Sequence, residues 1–357
     1  MNIALVAEEY PPVVGGIGRY SHDVVHFLAR RWPVQVLQRG CTAASRPPGS
    51  VAVADFPFPA NSRNPWPWIR FLKERGLTHI LFNHVDLAGP LIIAGLRAAG
   101  LYTGVFVYGA DIGLTRPPRA HRRLKASLHL HRQLITISVA TRQLLQTRFP
   151  GLDAPIVHPG LPGPFTPVAR PPGQGIVAVG RLVRRKGFDT LLHAVAELKQ
   201  RGLAPPTTLI GDGPDAPYLR NLTHDLGLDN QVRFASGLTD AAVQEELRAH
   251  RVFCLLPRTL SDGNVEGFGI VFLEASAQGL PVVASQSGGV ADAVHDGVTG
   301  FLVQPENPLE AADRIALLLT DDTRWQAMSR ATPDWVQQFT WNTRNLDQEF
   351  SFLTTQT

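Results

Sequence analysis

Short apolar runs rich in Val, Ile and Leu alternate along this chain with longer stretches whose apolar positions recur at helical spacing. In the first half the runs are NIALVAE, VQVLQ, VAVADF, THILFN, TGVFVYG, LITIS and PIVHPG; in the second they are GIVAVG, PTTLIG, VRFAS, VFCLLP, PVVAS and FLVQP. Strand and helix patterns in alternation predict mainly parallel sheets covered by helices. The Pro-rich segment PGLPGPFTPVARPPGQG (159–175) separates the two series and reads as an interdomain linker. We therefore expect two doubly wound α/β domains, residues 1–165 and 166–339. Their ligand would lie in a cleft where the carboxyl ends of the two sheets face one another. The amphipathic stretch FTWNTRNLDQEFSFL follows the second domain's own helices, and the chain from about 340 to 357 is expected to pack back on the first domain as a terminal helix.

A length of 357 residues suits two domains of ordinary size. Cys41 and Cys254 are the two cysteines, too few for a disulfide framework or a cysteine metal cage, which fits a reducing cytoplasm. The N-terminus MNIALVAEEY lacks a basic leader, and the most apolar window, 89–110, is interrupted by Arg97 and several glycines, so neither a signal peptide nor a membrane span is expected. Charge is uneven. Residues 1–165 carry 18 Lys+Arg against 8 Asp+Glu, and the remainder 16 against 22, giving +10 followed by −6. A basic first half points to an anionic partner, such as a membrane surface or a phosphorylated acceptor. No recognition motif supports nucleic acid.

In VEGFGIVFLEASAQGLPVVAS (265–285), Gly267 and Gly269 oppose helix, so a helix is predicted from about Ile270. Its start would aim backbone amides at an anion. Glu266 in the loop and Glu274 in the early turns could each accept two hydroxyls of a vicinal diol, and a sugar nucleotide offers two polyols separated by a diphosphate. Equally, they could be solvated carboxylates at a helix start. VAVGRLVRRKGFDTLL (177–192) ends a strand at Gly180 and delivers Arg181 and Lys186, cations suited to phosphates, while Arg184 and Arg185 read as well as a basic solvated turn. Near the N-terminus, Gly15 and Gly16 permit close backbone approach to a ligand. Neither a Walker loop nor a literal G-x-G-x-x-G occurs, including at GDGPD (211–215), which argues against triphosphate hydrolysis and nicotinamide chemistry. No D-x-D is present. His129 and His131, two apart in HRRLKASLHLHRQL (121–134), would diverge on a helix, so that segment reads as a solvated basic helix and no catalytic metal is expected.

Together these stretches resemble the retaining glycosyltransferases of family 4, which have the GT-B architecture of two facing Rossmann-like domains. Glu266 and Glu274 match the E-x7-E signature, Arg181 and Lys186 the donor-phosphate pair, and Gly15 and Gly16 the N-terminal glycine loop. The resemblance implies that Glu274 holds the nucleotide ribose and Glu266 the transferred sugar, with Gly267 and the amides of Phe268, Gly269 and Ile270 at the sugar and diphosphate. Gly237 and Leu238, in SGLTD, resemble the base-contacting segment, and Gly180 at the strand end belongs to the expected donor-binding set. DGNVEGFGIVFLEA is most similar to bacterial mannosyltransferases that use GDP-mannose on lipid-linked inositol or polysaccharide intermediates. Users of UDP-glucose, UDP-galactose and UDP-N-acetylglucosamine share the same frame. The family commonly has His-Gly followed by an acidic residue after the fifth strand, where this chain reads VYGADI. Tyr108 stands at the histidine, with Gly109 and Asp111 retained, and both Tyr108 and Asp111 are expected at the cleft floor beneath the transferred sugar.

The resulting expectation is a metal-independent hexosyltransferase of the cell envelope, cytoplasmic or peripheral on the inner face of the membrane. Arg181 and Lys186 would neutralise the departing diphosphate, which assists acceptor deprotonation, so no enzymic nucleophile is needed. A noncatalytic sugar-nucleotide-binding protein is the competing reading, separable by donor turnover. A phosphorylase or an epimerase on a similar frame lacks a cofactor-linkage motif.

Overall fold

The computed structural model describes residues 1–11, 15–40, 51–59, 62–163, 165 and 173–354, so Cys41 and part of the Pro-rich segment lie outside the described residues. The chain divides into two units, Met1–Gly160 with Arg344–Thr357, and Leu161–Thr343.

Unit 1 contains β1 (Ile3–Ala7), β2 (Val34–Gln38), β3 (Ala52–Asp55), β4 (His79–Phe82), β5 (Tyr102–Val107) and β6 (Gln133–Thr136). They form one sheet in the order β3-β2-β1-β4-β5-β6, with every pairing parallel. Unit 2 repeats the winding with β7 (Ile176–Val179), β8 (Thr207–Ile210), β9 (Val232–Ala235), β10 (Val252–Leu255), β11 (Val282–Ser285) and β12 (Gly300–Val303), ordered β12-β11-β10-β7-β8-β9 and again parallel. Each order reverses direction once, between β1 and β4 and between β7 and β10. Doubly wound sheets bind ligands beyond the carboxyl ends of their strands at such a point.

The central strands β1, β10 and β11 are buried at every position. Burial on both faces explains why their sequences run continuously apolar instead of alternating. Several helices start at residues with ordinary capping chemistry. Ser138 accepts from Thr141 N, Thr239 from Ala242 N and Asn307 from Glu310 N, and prolines occupy the first turns of Pro90–Ala98 and Pro118–Leu130. In unit 1 the helix Pro90–Ala98 packs against both Trp66–Glu74 and Pro118–Leu130, placing the three in one layer over a core that includes Trp68, Phe82 and Leu128.

Three expectations need correction. PIVHPG forms no strand: Ile156 makes only an isolated bridge to Thr136, because Pro155 and Pro159 have no N–H to extend a ladder. The terminal helix is reduced to Leu346–Glu349 and a 3-10 turn at Ser351–Leu353. That tail still belongs to unit 1, through Arg344 to His158 O at 2.7 Å, Tyr102 OH to Phe352 O at 3.1 Å, and fully buried Phe350 against Phe27. His131 is not helical. It follows the end of Pro118–Leu130 in extended conformation and is buried, and burial, with Arg97 nearby, lowers its pKa to about 3. The boundaries also shift. Leu161 N donates to Phe339 O and Trp341 N to Leu161 O, tying residues 161–163 and 339–342 to unit 2.

Candidate functional site

In unit 2, β7 ends beside Gly180, and the chain then makes a 3-10 turn, Arg184–Lys186, before the helix Phe188–Gln200. Gly187 joins turn to helix in the left-handed region (φ 69°). A Cβ there would meet Leu256 O, just beyond β10, so the turn is seated on the reversal point of the sheet. Arg258 reinforces this seat: its N–H donates to Arg185 O at 2.8 Å, and its buried guanidinium bonds Asp189 and Thr190 at the helix start and Glu306 at 3.1 Å.

Glu266 meets this turn from the loop before the helix Ile270–Ala277. Its Oε2 lies 2.7 Å from Lys186 Nζ and 2.6 Å from the Arg185 guanidinium, with all three side chains largely buried. Burial alone would raise the Glu266 pKa, but the two cations overrule it and hold the carboxyl at about 2. Among the described residues Oε1 makes no hydrogen bond, so an ionised oxygen remains to accept a hydroxyl. The triad carries a net charge of +1, and exposed Arg181, whose side chain is unpaired among the described residues, adds another. The backbone of Glu266 is pinned from the far side, where Gly289 N donates to its carbonyl at 2.9 Å. Gly288 packs so closely, at φ 57°, that a Cβ would lie 2.1 Å from that oxygen.

The helix begins at Ile270, with Gly269 in the left-handed region as its N-cap. The amides of Ile270 and Val271 lack intrahelical partners and sit where an anion would be stabilised, while Phe272 N already donates to Gly269 O. Phe268 is buried against Phe339, which fixes the loop, and Glu274 is partly exposed one turn into the helix. Gly237 (φ 69°) and Leu238 are exposed just after β9, before the helix Asp240–Ala249. The structure thus brings Gly180, Lys186, Glu266 and the loop 267–270 together in unit 2.

Sequence reasoning did not decide between a solvated and a functional Arg185, and it missed Arg258, Gly288 and Gly289. The only sequence signal was positional, since RRK and SGG each follow a strand.

In unit 1, Gly15 precedes the helix Gly16–Leu28 with ordinary extended backbone, and a Cβ on Gly16 would meet nothing within 4 Å among the described residues. Asp111 is 4% exposed, and its carboxylate accepts from Tyr108 N at 3.0 and 3.2 Å and from Gly109 N at 2.9 Å. It shapes the Gly109 turn (φ 102°) instead of presenting free charge, and burial raises its pKa against the pull of His84 and of those amides. Tyr108 is buried too. Its ring stands edge-on to Tyr20, and its hydroxyl, close to Ser21, has no hydrogen bond of good geometry.

Among the described residues no group of three or more His, Cys, Asp or Glu could hold a metal ion, and no helix is long and apolar enough to cross a membrane. A cavity of about 470 Å³ in unit 1, lined by Phe58, Trp66, Pro67, Arg70 and Phe71 among others, holds none of the expected site residues.

The family of glycosyl transferases group 1 matches residues 170–335, which include the Arg185, Lys186 and Glu266 cluster. Over 380 aligned positions the chain is 31% identical to the GDP-mannose-dependent alpha-(1-6)-phosphatidylinositol monomannoside mannosyltransferase of Mycobacterium tuberculosis, covering 96% of this chain and 95% of that protein. The protein of the same name from Mycolicibacterium smegmatis is 30% identical, with 95% of each chain covered. Among solved structures, Anabaena Alr3699/HepE in complex with UDP has a TM-score of 0.77 at 19% identity, covering 99% of this chain and 100% of that one. Sucrose-phosphate synthase from Thermosynechococcus elongatus has a TM-score of 0.77 at 21% identity, covering 96% and 95%. These structural likenesses establish the GT-B fold.

Proposed function

Because the chain belongs to the glycosyl transferases group 1 family, we propose that it moves mannose from GDP-mannose, with retention and without a metal, to a phosphatidylinositol-mannoside-like lipid acceptor. The observation that carries this reading is the near full-length identity to GDP-mannose-dependent mannosyltransferases, combined with the cation cluster around Glu266. Lys186 and Arg181, with the amides at Ile270, supply the positive potential that a departing diphosphate needs. Glu266 Oε1 accepts a hydroxyl of the transferred sugar, and Glu274 accepts the ribose diol. As the glycosidic bond to phosphate breaks, the acceptor oxygen bonds the anomeric carbon on the same face. The acceptor's proton passes to the departing phosphate oxygen, so charge and atoms balance without a protein nucleophile.

The test is nucleotide release from a panel of GDP- and UDP-sugars, with and without phosphatidylinositol monomannoside, in EDTA. Acceptor-dependent GDP release and an α-linked product by NMR are expected. Release only from UDP-sugars overturns the donor, and turnover restored only by added divalent cation overturns metal independence.

The acceptor's surroundings favour a peripheral site on the inner face of the cytoplasmic membrane. On the helix Pro118–Leu130, Arg119, Arg122, Arg123, Lys125 and His129 are exposed, while Leu124 and Leu128 face the core. Beside it in the same layer, Trp66 is 74% and Leu91 59% exposed. Basic side chains flanking exposed apolar ones suit anionic lipid headgroups. Cosedimentation with phosphatidylglycerol vesicles that fades with salt, and none with phosphatidylcholine, is expected; equal recovery with both would count against it.

A further inference from the structure

The reversal point of the unit 1 sheet lies between β1 and β4, and the residues just past those strands are bound into one frame. Asn83 N donates to Val6 O at 3.0 Å, Glu8 N to the Asn83 side-chain oxygen at 3.1 Å, and Asn83 Nδ2 to Glu9 O at 2.8 Å and to Ser21 at 3.1 Å. His84 follows immediately. Its side chain is 27% exposed, and its ring lies near the Asp111 carboxyl of the neighbouring β5 turn.

Hydrogen bonding assigns its tautomer. Nδ1 accepts from Asp86 N at 3.3 Å, so the proton of the neutral ring sits on Nε2. The Asp86 carboxylate does not reverse this. It lies 3.8 Å from Nδ1, beyond hydrogen-bonding distance, and is paired with the Arg116 guanidinium at 3.0 and 2.8 Å. Arg116 also donates to Asp111 O at 2.8 Å, linking the β4 and β5 loops. Among the described residues Nε2 has no partner. A half-buried donor is therefore held in fixed orientation where a doubly wound sheet receives its ligand.

We infer that His84 is an acceptor-binding residue whose Nε2–H donates to a hydroxyl oxygen of the sugar acceptor. This rests on the glycosyl-transfer reading, and unit 1 is assigned the acceptor because the diphosphate-binding cations lie in unit 2. Tyr108, its hydroxyl buried, does not offer such a donor.

The experiment compares His84→Gln, His84→Asn and His84→Ala in the full chain, with GDP-mannose and phosphatidylinositol monomannoside in micelles as substrates. A glutamine amide reaches the Nε2 position, whereas asparagine mimics Nδ1. His84→Ala and His84→Asn should lower kcat/KM for the lipid by roughly 10- to 30-fold, the effect of one lost hydrogen bond in a partly desolvated site, with His84→Gln within about threefold of the parent. GDP affinity should be unchanged in all three. Equal activity of all variants, rescue by Asn but not Gln, or a loss of GDP affinity overturns the assignment. A parent chain that binds GDP yet transfers nothing to the lipid refutes the acceptor reading, and this inference with it. If His84→Ala fails to fold, the Gln and Asn pair still decides the matter.

Discussion

Replacing Glu266 by Gln keeps the size of the side chain and removes its charge, leaving Lys186 and Arg185 without their shared neutralising partner. The cost follows from linkage. A glutamate that titrates at about 2 when folded, against an ordinary value near 4.5, contributes about 3 kcal/mol to stability at pH 7. Because the folded pKa is depressed, that contribution is complete above the unfolded pKa and disappears as pH falls through the folded one. The gap between parent and Glu266→Gln should therefore be about 3 kcal/mol at pH 7 and shrink to roughly 1.4 kcal/mol at pH 3. Breaking a buried ion pair one-sidedly costs a similar amount, ~3 kcal/mol, by an independent route. Urea unfolding followed by hydrogen exchange, read on peptides from β7 and from Ile270–Ala277, isolates unit 2 from unit 1. A gap under about 1 kcal/mol at pH 7, or one unchanged between pH 7 and pH 3, would show that the carboxyl is not held by these cations. The same variant separates charge from catalysis. The cluster gains positive charge, so GDP affinity should hold or rise while mannose transfer falls.

Lys186→Ala should lower turnover about 10²- to 10³-fold, the usual effect of removing one donor from a charge-developing transition state; a near-native kcat with GDP-mannose refutes its role. Glu274→Ala should weaken GDP binding by roughly 2 to 4 kcal/mol if two charge-assisted bonds to ribose are lost, which calorimetry with GDP measures directly. Asp111→Ala should lower both stability and, by loosening the Gly109 turn, transfer, because it removes the acceptor of the Tyr108 and Gly109 N–H groups. Tyr108→Phe should leave the melting temperature unchanged or higher, since a hydroxyl without a hydrogen bond is removed. Equal melting temperatures for Asp111→Ala and the parent would show that the carboxylate does not hold the turn.

What the sequence revealed was whatever depends on neighbours along the chain. Strands buried on both faces announce themselves as unbroken apolar runs, and Gly269 before Ile270 marks a helix start because the backbone there must be left-handed. PIVHPG misled for the complementary reason: its apolar residues fit a strand, but the prolines that decide its pairing act through missing donors. The terminal tail failed similarly, its helical spacing interrupted where Phe350 departs from helical geometry to fill the unit 1 core. The charge on Glu266 was hidden more deeply. Its partners lie 81 and 80 positions earlier, and nothing in RRK says which basic residue turns inward.

The reversal points of the two sheets explain where such long-range partners must meet. At the β7 and β10 reversal, Gly187 against Leu256 O seats the turn that carries Arg185 and Lys186. At the β1 and β4 reversal, Asn83 knits the two strand ends and His84 projects beside them. The family motif directed attention to position 108, one strand further along, where this chain has buried its tyrosine. Topology directs it instead to 84, whose ring retains an open donor.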